Sequence, residues 1–185
     1  ELIARDEDNR TSASITEKSE QKPIGLVRLG SDGDEINIEL PRLDVDEVTI
    51  ELDGRLDESI WASIPGYDNM LVMDPDTLEK TRFKTDARMF YTEKGLYVGV
   101  FMEQPSETLI ARLSSRDEFI NRDSIGITID TSGEGLYGYW FTLNLGGSVM
   151  DGKVAPERQF SREWDGPWES GTAVLEDGWS AEMFL

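Results

Sequence analysis

The sequence predicts an all-β fold, an antiparallel β-sandwich or jelly roll with one short helical turn. Three observations carry this. Ile125, Ile127 and Ile129 alternate with Ser124, Gly126 and Thr128, the period-two pattern of a strand with one buried face. Arg88–Tyr91 and Leu96–Met102 flank the four-residue loop Thr92-Glu93-Lys94-Gly95, and Val174-Leu175 and Trp179 onward flank Asp177-Gly178. Both are hairpin signals, because Gly and Asp accept the backbone angles a tight reversal needs. Few segments show a helical period. Regularly spaced hairpins with little helix are what a two-layer β domain requires.

In chain order, Glu1–Lys22 is polar, rich in Ser, Thr and Glu, and reads as a flexible acidic arm. Ile24–Leu29 and Ile36–Leu40 flank the turn signal Gly30–Asp34 and read as a preliminary hairpin or a connecting segment. The division is therefore 1–40 for arm or hairpin and 41–185 for the sandwich. Val48–Leu52 is β-rich and reaches a turn at Asp53-Gly54. Asp57 is placed as the N-cap of one helical turn, from which Ile60 and Trp61 drop as apolar anchors. Ser106–Phe119 is a short helix or a long irregular loop. Thr131–Gly135 turns the chain, and Tyr137–Asn144 returns as an aromatic strand. The last segment, Trp179–Leu185, reads as a strand that ends without a turn, as expected of a chain cut from a longer parent.

Composition narrows the chemistry. The chain of 185 residues has no Cys and no His. Thiolate nucleophiles, thiolate zinc, disulfides, imidazole metal sites and Ser-His-Asp catalysis are all excluded. A formal charge of −20 makes nucleic acid and anionic membrane poor partners. Hard cations such as Ca²⁺ suit such a surface, because they take carboxylate and carbonyl oxygens. Acidity alone also keeps a protein soluble. No apolar run is long enough to span a bilayer as a helix.

Two groups of side chains could carry function. Sugars stack their C–H faces on indole rings and need hydrogen-bonding side chains beside them. Ser161–Glu169 places Trp164 and Trp168 around Gly166-Pro167 with Arg162, Glu163, Asp165 and Glu169 close by. These rings are either a loop platform or a lid folded over the sandwich edge. Trp140 alternates with Tyr139, Phe141 and Leu143. If those three face the core, Trp140 lies on the outer sheet surface as a second platform. Trp61 and Trp179 read as core. The second group is acidic. Asp117, Asp123 and Asp130 surround one strand and could ligate a structural Ca²⁺. Glycoside hydrolysis by Glu163, Asp165 or Glu169 has little support, since 38 acidic residues put a carboxylate near almost any Trp.

Four stretches together resemble the family-9 carbohydrate-binding modules: Leu52–Trp61; Asp123–Thr131; Gly138–Asn144 with Gly147 and Asp151; and Trp164–Glu169 with Gly178–Glu182. They span roughly Val48 to Leu185. More narrowly, the chain is similar to the amino-terminal domain of bacterial cell-envelope proteins that continue into a predicted outer-membrane barrel. The resemblance implies a β-sandwich, often with Ca²⁺, binding an oligo- or polysaccharide without catalysis. It implies Trp164 and Trp168 as stacking residues, and Arg116 and Asn144 as hydroxyl contacts. It also implies the carboxy-terminal remainder of the parent as a partner, and a location in the periplasm, at the outer membrane or outside the cell. No second platform Trp lies between Trp61 and Trp140, which puts a two-Trp clamp in doubt. The alternative is a structural or interaction sandwich that has lost its sugar site.

Overall fold

The computed structural model describes residues 38–185, together with the backbone of strands β1 (Leu26–Arg28) and β2 (Glu35–Asn37). β1 and β2 pair antiparallel, where the preliminary hairpin is expected. The arm Glu1–Lys22 lies outside the described residues.

The fold is an all-β sandwich of two antiparallel sheets. Strands β3 (Gly66–Tyr67), β4 (Leu71–Met73), β5 (Asp76–Lys80), β6 (Thr85–Tyr91) and β7 (Leu96–Glu103) precede β8 (Ser124–Ile129), β9 (Gly138–Asn144) and β10 (Val149–Ala155). β11 (Gln159–Ser161), β12 (Glu169–Val174) and β13 (Gly178–Phe184) complete the set. One sheet is a four-stranded meander in the order β11-β10-β9-β8, and the other has the order β12-β13-β7-β6-β3. β4 and β5 form a separate hairpin.

The inner faces follow from period two. Val98 and Val100 of β7 and Trp179, Ala181 and Met183 of β13 meet Phe141 and Leu143 of β9, with Ile125, Ile127 and Ile129 of β8 packed alongside. Trp179 is core, as its strand position requires. β13 lies between β12 and β7, so every residue from Gly178 to Met183 is buried. Ser180 and Glu182 must then be covered on the outer face.

The cover is the segment before β3. Pro41 accepts from the Tyr91 amide and Leu43 donates to the Tyr91 carbonyl, which fastens the segment to the edge of β6. Leu43, Val48, Ile50, Leu56 and Ile60 then pack around Trp61, Ile64 and Phe90. Val48–Leu52, read as a strand, joins no ladder. Its apolar residues bury against this second cluster, which outweighs β propensity. Helix α1 (Ser59–Ser63) begins one residue later than Asp57 would place it: Glu58 is the N-cap, and its side chain accepts from the Glu51 amide at 3.0 Å instead of capping. Between Ser106 and Asp123 the only helical element is the 3₁₀ turn Ser106–Thr108, so the irregular-loop reading holds.

Candidate functional site

The chain passes from β11, an edge of the four-stranded sheet, to β12, an edge of the five-stranded sheet. The intervening residues 162–168 therefore cross the open side of the sandwich, and this loop carries both tryptophans. Trp164 lies 4.6 Å from Tyr139, ring centre to ring centre, and edge-on to Phe141 at 6.0 Å. Trp168 meets Phe141 edge-on at 5.6 Å. Both rings are half-buried against the core, and the Trp168 Nε1–H is buried without a hydrogen-bond partner. Of the two alternatives, the rings take the folded-back one: they close the sandwich and leave their rims to solvent. Gly166 makes this possible, because a Cβ there would stand 2.7 Å from the Trp164 ring.

A polar hub holds the loop. Asp151 pairs with Phe141 across β10 and β9, points to the inner side and is fully buried. An ionised carboxylate is tolerated there only if fully partnered. Arg116 Nη2 donates to its Oδ1 at 2.6 Å, and the Gly166 amide donates to its Oδ2 at 2.5 Å. Arg116 Nε also donates to Asp165 Oδ1 at 3.2 Å and lies 3.8 Å from Asp117 Oδ2. Asp117 seals the free edge of β10: its amide donates to the Val149 carbonyl, and its Oδ1 accepts from the Asp151 amide at 3.1 Å. Arg116 (39% exposed) and Asp165 (68% exposed) remain open to solvent beside the Trp164 and Trp168 rims. This edge can offer a guanidinium, a carboxylate and aromatic C–H surface to a hydroxylated ligand.

The other expected site residues fall elsewhere. Trp140 does point to the outer face of its sheet, but the residue is only 9% exposed. Its Nε1–H donates to the Ser161 carbonyl at 3.2 Å, and Phe160 stands edge-on beside it, so it presents no open platform. Asn144 is fully buried and cannot reach a ligand. Its side chain bonds both the amide and the carbonyl of Ser148, closing the turn between β9 and β10.

The three expected Ca²⁺ ligands are not gathered. Asp123 and Asp130 flank the six-residue β8 at opposite ends, about 23 Å apart at strand rise. Asp123 accepts from the Ile110 amide at 2.7 Å and from Gln104 at 3.2 Å. Asp130 accepts from Ser132 and from the amides of Gly133 and Gly135, and these bonds hold its carboxyl below the usual range. Each serves its own loop. Only Asp117 belongs to an acidic cluster, with Asp151 and Asp165, whose oxygens lie within 4.8 Å of one another. The Arg116 guanidinium already supplies that cluster's positive charge.

Three solved structures share this architecture. A family-9 carbohydrate-binding module from Caldicellulosiruptor kristjanssonii with cellotriose superposes at TM-score 0.53 over 78% of this chain, at 14% identity. The fold is similar to that of the family-9 modules. The glucose complex of a family-9 module from the same organism gives 0.51 at 15% identity over 78% of this chain and 68% of that one. A candidate carbohydrate-binding protein from Bacteroides uniformis gives 0.54 at 12% identity, covering 78% and 72%. The chain spans 66% of the length of the cellotriose-bound module. No protein-family model and no curated protein matches the chain.

In this family-9-like sandwich, the sequence reading singled out the Trp loop and Arg116, and the hub that holds that loop was not foreseen. The signal was available in Asp151, a carboxylate inside the strand Val149–Ala155. Asp is depleted in strands, so one within a strand demands a dedicated partner.

Proposed function

We propose that this domain binds an oligosaccharide without transforming it, at the sandwich edge formed by Arg116, Asp165 and the rims of Trp164 and Trp168. The supporting observation is the fold, which is similar to modules solved with cellotriose and glucose. The chemistry of the edge agrees: indole C–H surface suits the apolar face of a pyranose, and Arg116 with Asp165 suits its hydroxyls. A non-catalytic role fits the hub's acids. Hydrolysis needs two carboxyl groups free to face each other across a glycosidic bond. At this edge Asp117 and Asp151 are committed to backbone amides and to Arg116, and Asp165 to Arg116, while Glu163 and Glu169 are exposed. No Ca²⁺ is needed in this reading, since one at the triad would have to displace Arg116. The domain would serve as the sugar-gripping part of a larger cell-envelope protein.

The buried Trp168 Nε1–H favours a second reading, an interaction sandwich in which the tryptophans only close the core. Titration of intrinsic fluorescence with cello-, xylo- and manno-oligosaccharides separates the two. The proposal expects a saturating change for one series and at least about tenfold weaker binding for Asp165→Ala, with its melting temperature unchanged. A flat response from folded protein supports the second reading.

A further inference from the structure

β8 forms one edge of the four-stranded sheet. Its backbone groups alternate in direction. The Leu145 amide donates to the Asp123 carbonyl, whereas the Asn144 amide turns away from β8 to the Ser148 carbonyl. In the unbroken register that follows, Ile125 and Ile127 bond toward β9, and the N–H and C=O groups of Ser124, Gly126 and Thr128 point outward. Among the described residues none pairs with those outward groups. Gly126 has no side chain and is exposed, so its backbone itself is open to water. A Cβ built there would meet only atoms of β9. Sheet edges are ordinarily blunted by brevity, charge, proline or a bulge. β3 spans two residues, β11 spans three, and β12 opens on Glu169. β8 runs for six residues without a bulge and without a charge, in a chain of formal charge −20.

We propose that β8 pairs antiparallel with β8 of a second copy about a two-fold axis at Gly126, joining two four-stranded sheets into one. The strand is self-complementary in that register. Gly126 exchanges backbone bonds with Gly126 of the second copy, and Ser124 does so with Thr128 of the second copy. On the outer face their hydroxyls then lie opposite each other. On the inner face Ile125 meets Ile127 of the second copy, and both are only half-buried in the single chain. Beyond the strand the same register sets Asp130 opposite Arg122 of the second copy, at both ends of the pair. Within the chain the Arg122 Nη atoms donate to the Arg112 carbonyl, the Ser114 hydroxyl and the Glu118 carbonyl. Asp130 accepts only from its own turn. Among the described residues no salt bridge reaches either. Registers shifted by two residues would set Asp130 opposite Ser124 or Ile120 instead. The exposed ion pairs therefore select the register, while backbone bonds and the isoleucines supply the affinity. One strand pair is a small interface, so the dimer is weak and reversible.

The test is sedimentation velocity of the chain from about 10 µM to about 1 mM, with amide exchange at both ends of that range. The proposal expects a dimer that grows with concentration, and amides of Ser124, Gly126 and Thr128 at least about tenfold better protected at the higher one. Gly126→Pro removes the central outward donor without touching the β9 ladder, and it should be monomeric. If that variant does not fold, Gly126→Glu keeps every β9 bond but sets two carboxylates against each other on the axis, and it should also be monomeric. A chain that stays monomeric throughout overturns the proposal. So does equal protection of the three amides at both concentrations, the result if another segment of the same chain lies on this edge. A dimer that persists in a folded Gly126 variant overturns it as well.

Discussion

At the residue scale, two acidic side chains in strands do most of the positioning. Glu182 receives the strap, residues 52–64 of the segment that covers the five-stranded sheet, and Asp151 receives the Trp loop; each is fully buried and each accepts two hydrogen bonds. Asp151→Ala would leave the Arg116 guanidinium and the Gly166 amide without their acceptor, a loss of about 3 kcal/mol. Chemical denaturation should show it, with a red-shifted emission as Trp164 loosens. Gly54 is the counterpart on the strap. It sits at φ +90°, and a Cβ there would stand 2.2 Å from the Thr172 backbone. Gly54→Ala should therefore cost about 3 kcal/mol. Gly133→Ala, at φ +71° but with nothing within 4 Å, should cost about 1 kcal/mol. Equal melting temperatures for these two glycine variants would contradict the packing described.

At the scale of elements, the segment 41–64 acts as a third layer over the five-stranded sheet. Its seat depends on small residues in β7 and β12, so Gly171→Val should unseat the strap while leaving the sheets paired. Exchange in residues 50–64 should then rise well above that in β13. Part of the sheet was legible in the sequence, while the short strands β3, β4, β5 and β11, and β10, were not read. β8 follows from its alternating isoleucines, β6–β7 and β12–β13 from their turn residues, and the core roles of Trp61 and Trp179 from their apolar neighbours. Val48–Leu52 was not legible, because a strand and an extended segment that packs without a ladder share the same alternation. The site was less legible than the fold. That Trp164 and Trp168 share one loop was readable, but whether a loop indole faces water or turns back onto Phe141 is a tertiary matter. Asn144 and Asp123 offered the same donors and acceptors to a ligand as to their own turns, and the turns took them.

At the scale of the molecule, stability should vary with pH in a direction set by Glu182. Its folded pKa of about 7 lies above the ordinary 4.5. Between these values the folded state therefore holds more protons than the unfolded chain, and stability falls as pH rises through that window. The melting temperature should drop from about pH 5 to about pH 8, and the drop should shrink in Glu58→Gln. Asp130 is shifted the other way and acts only in stronger acid, so the two effects do not overlap. The same sandwich presents its open polar edge at Arg116 and Asp165, where the proposed sugar site lies. The most direct measurement of that claim is a two-dimensional amide and side-chain NMR map during titration with cellotriose and its xylo- and manno- counterparts. The account predicts shifts confined to the Arg116 Nε–H, the Asp165 and Gly166 amides and the Trp164 and Trp168 rings. Shifts elsewhere, or none in any sugar series, would contradict it.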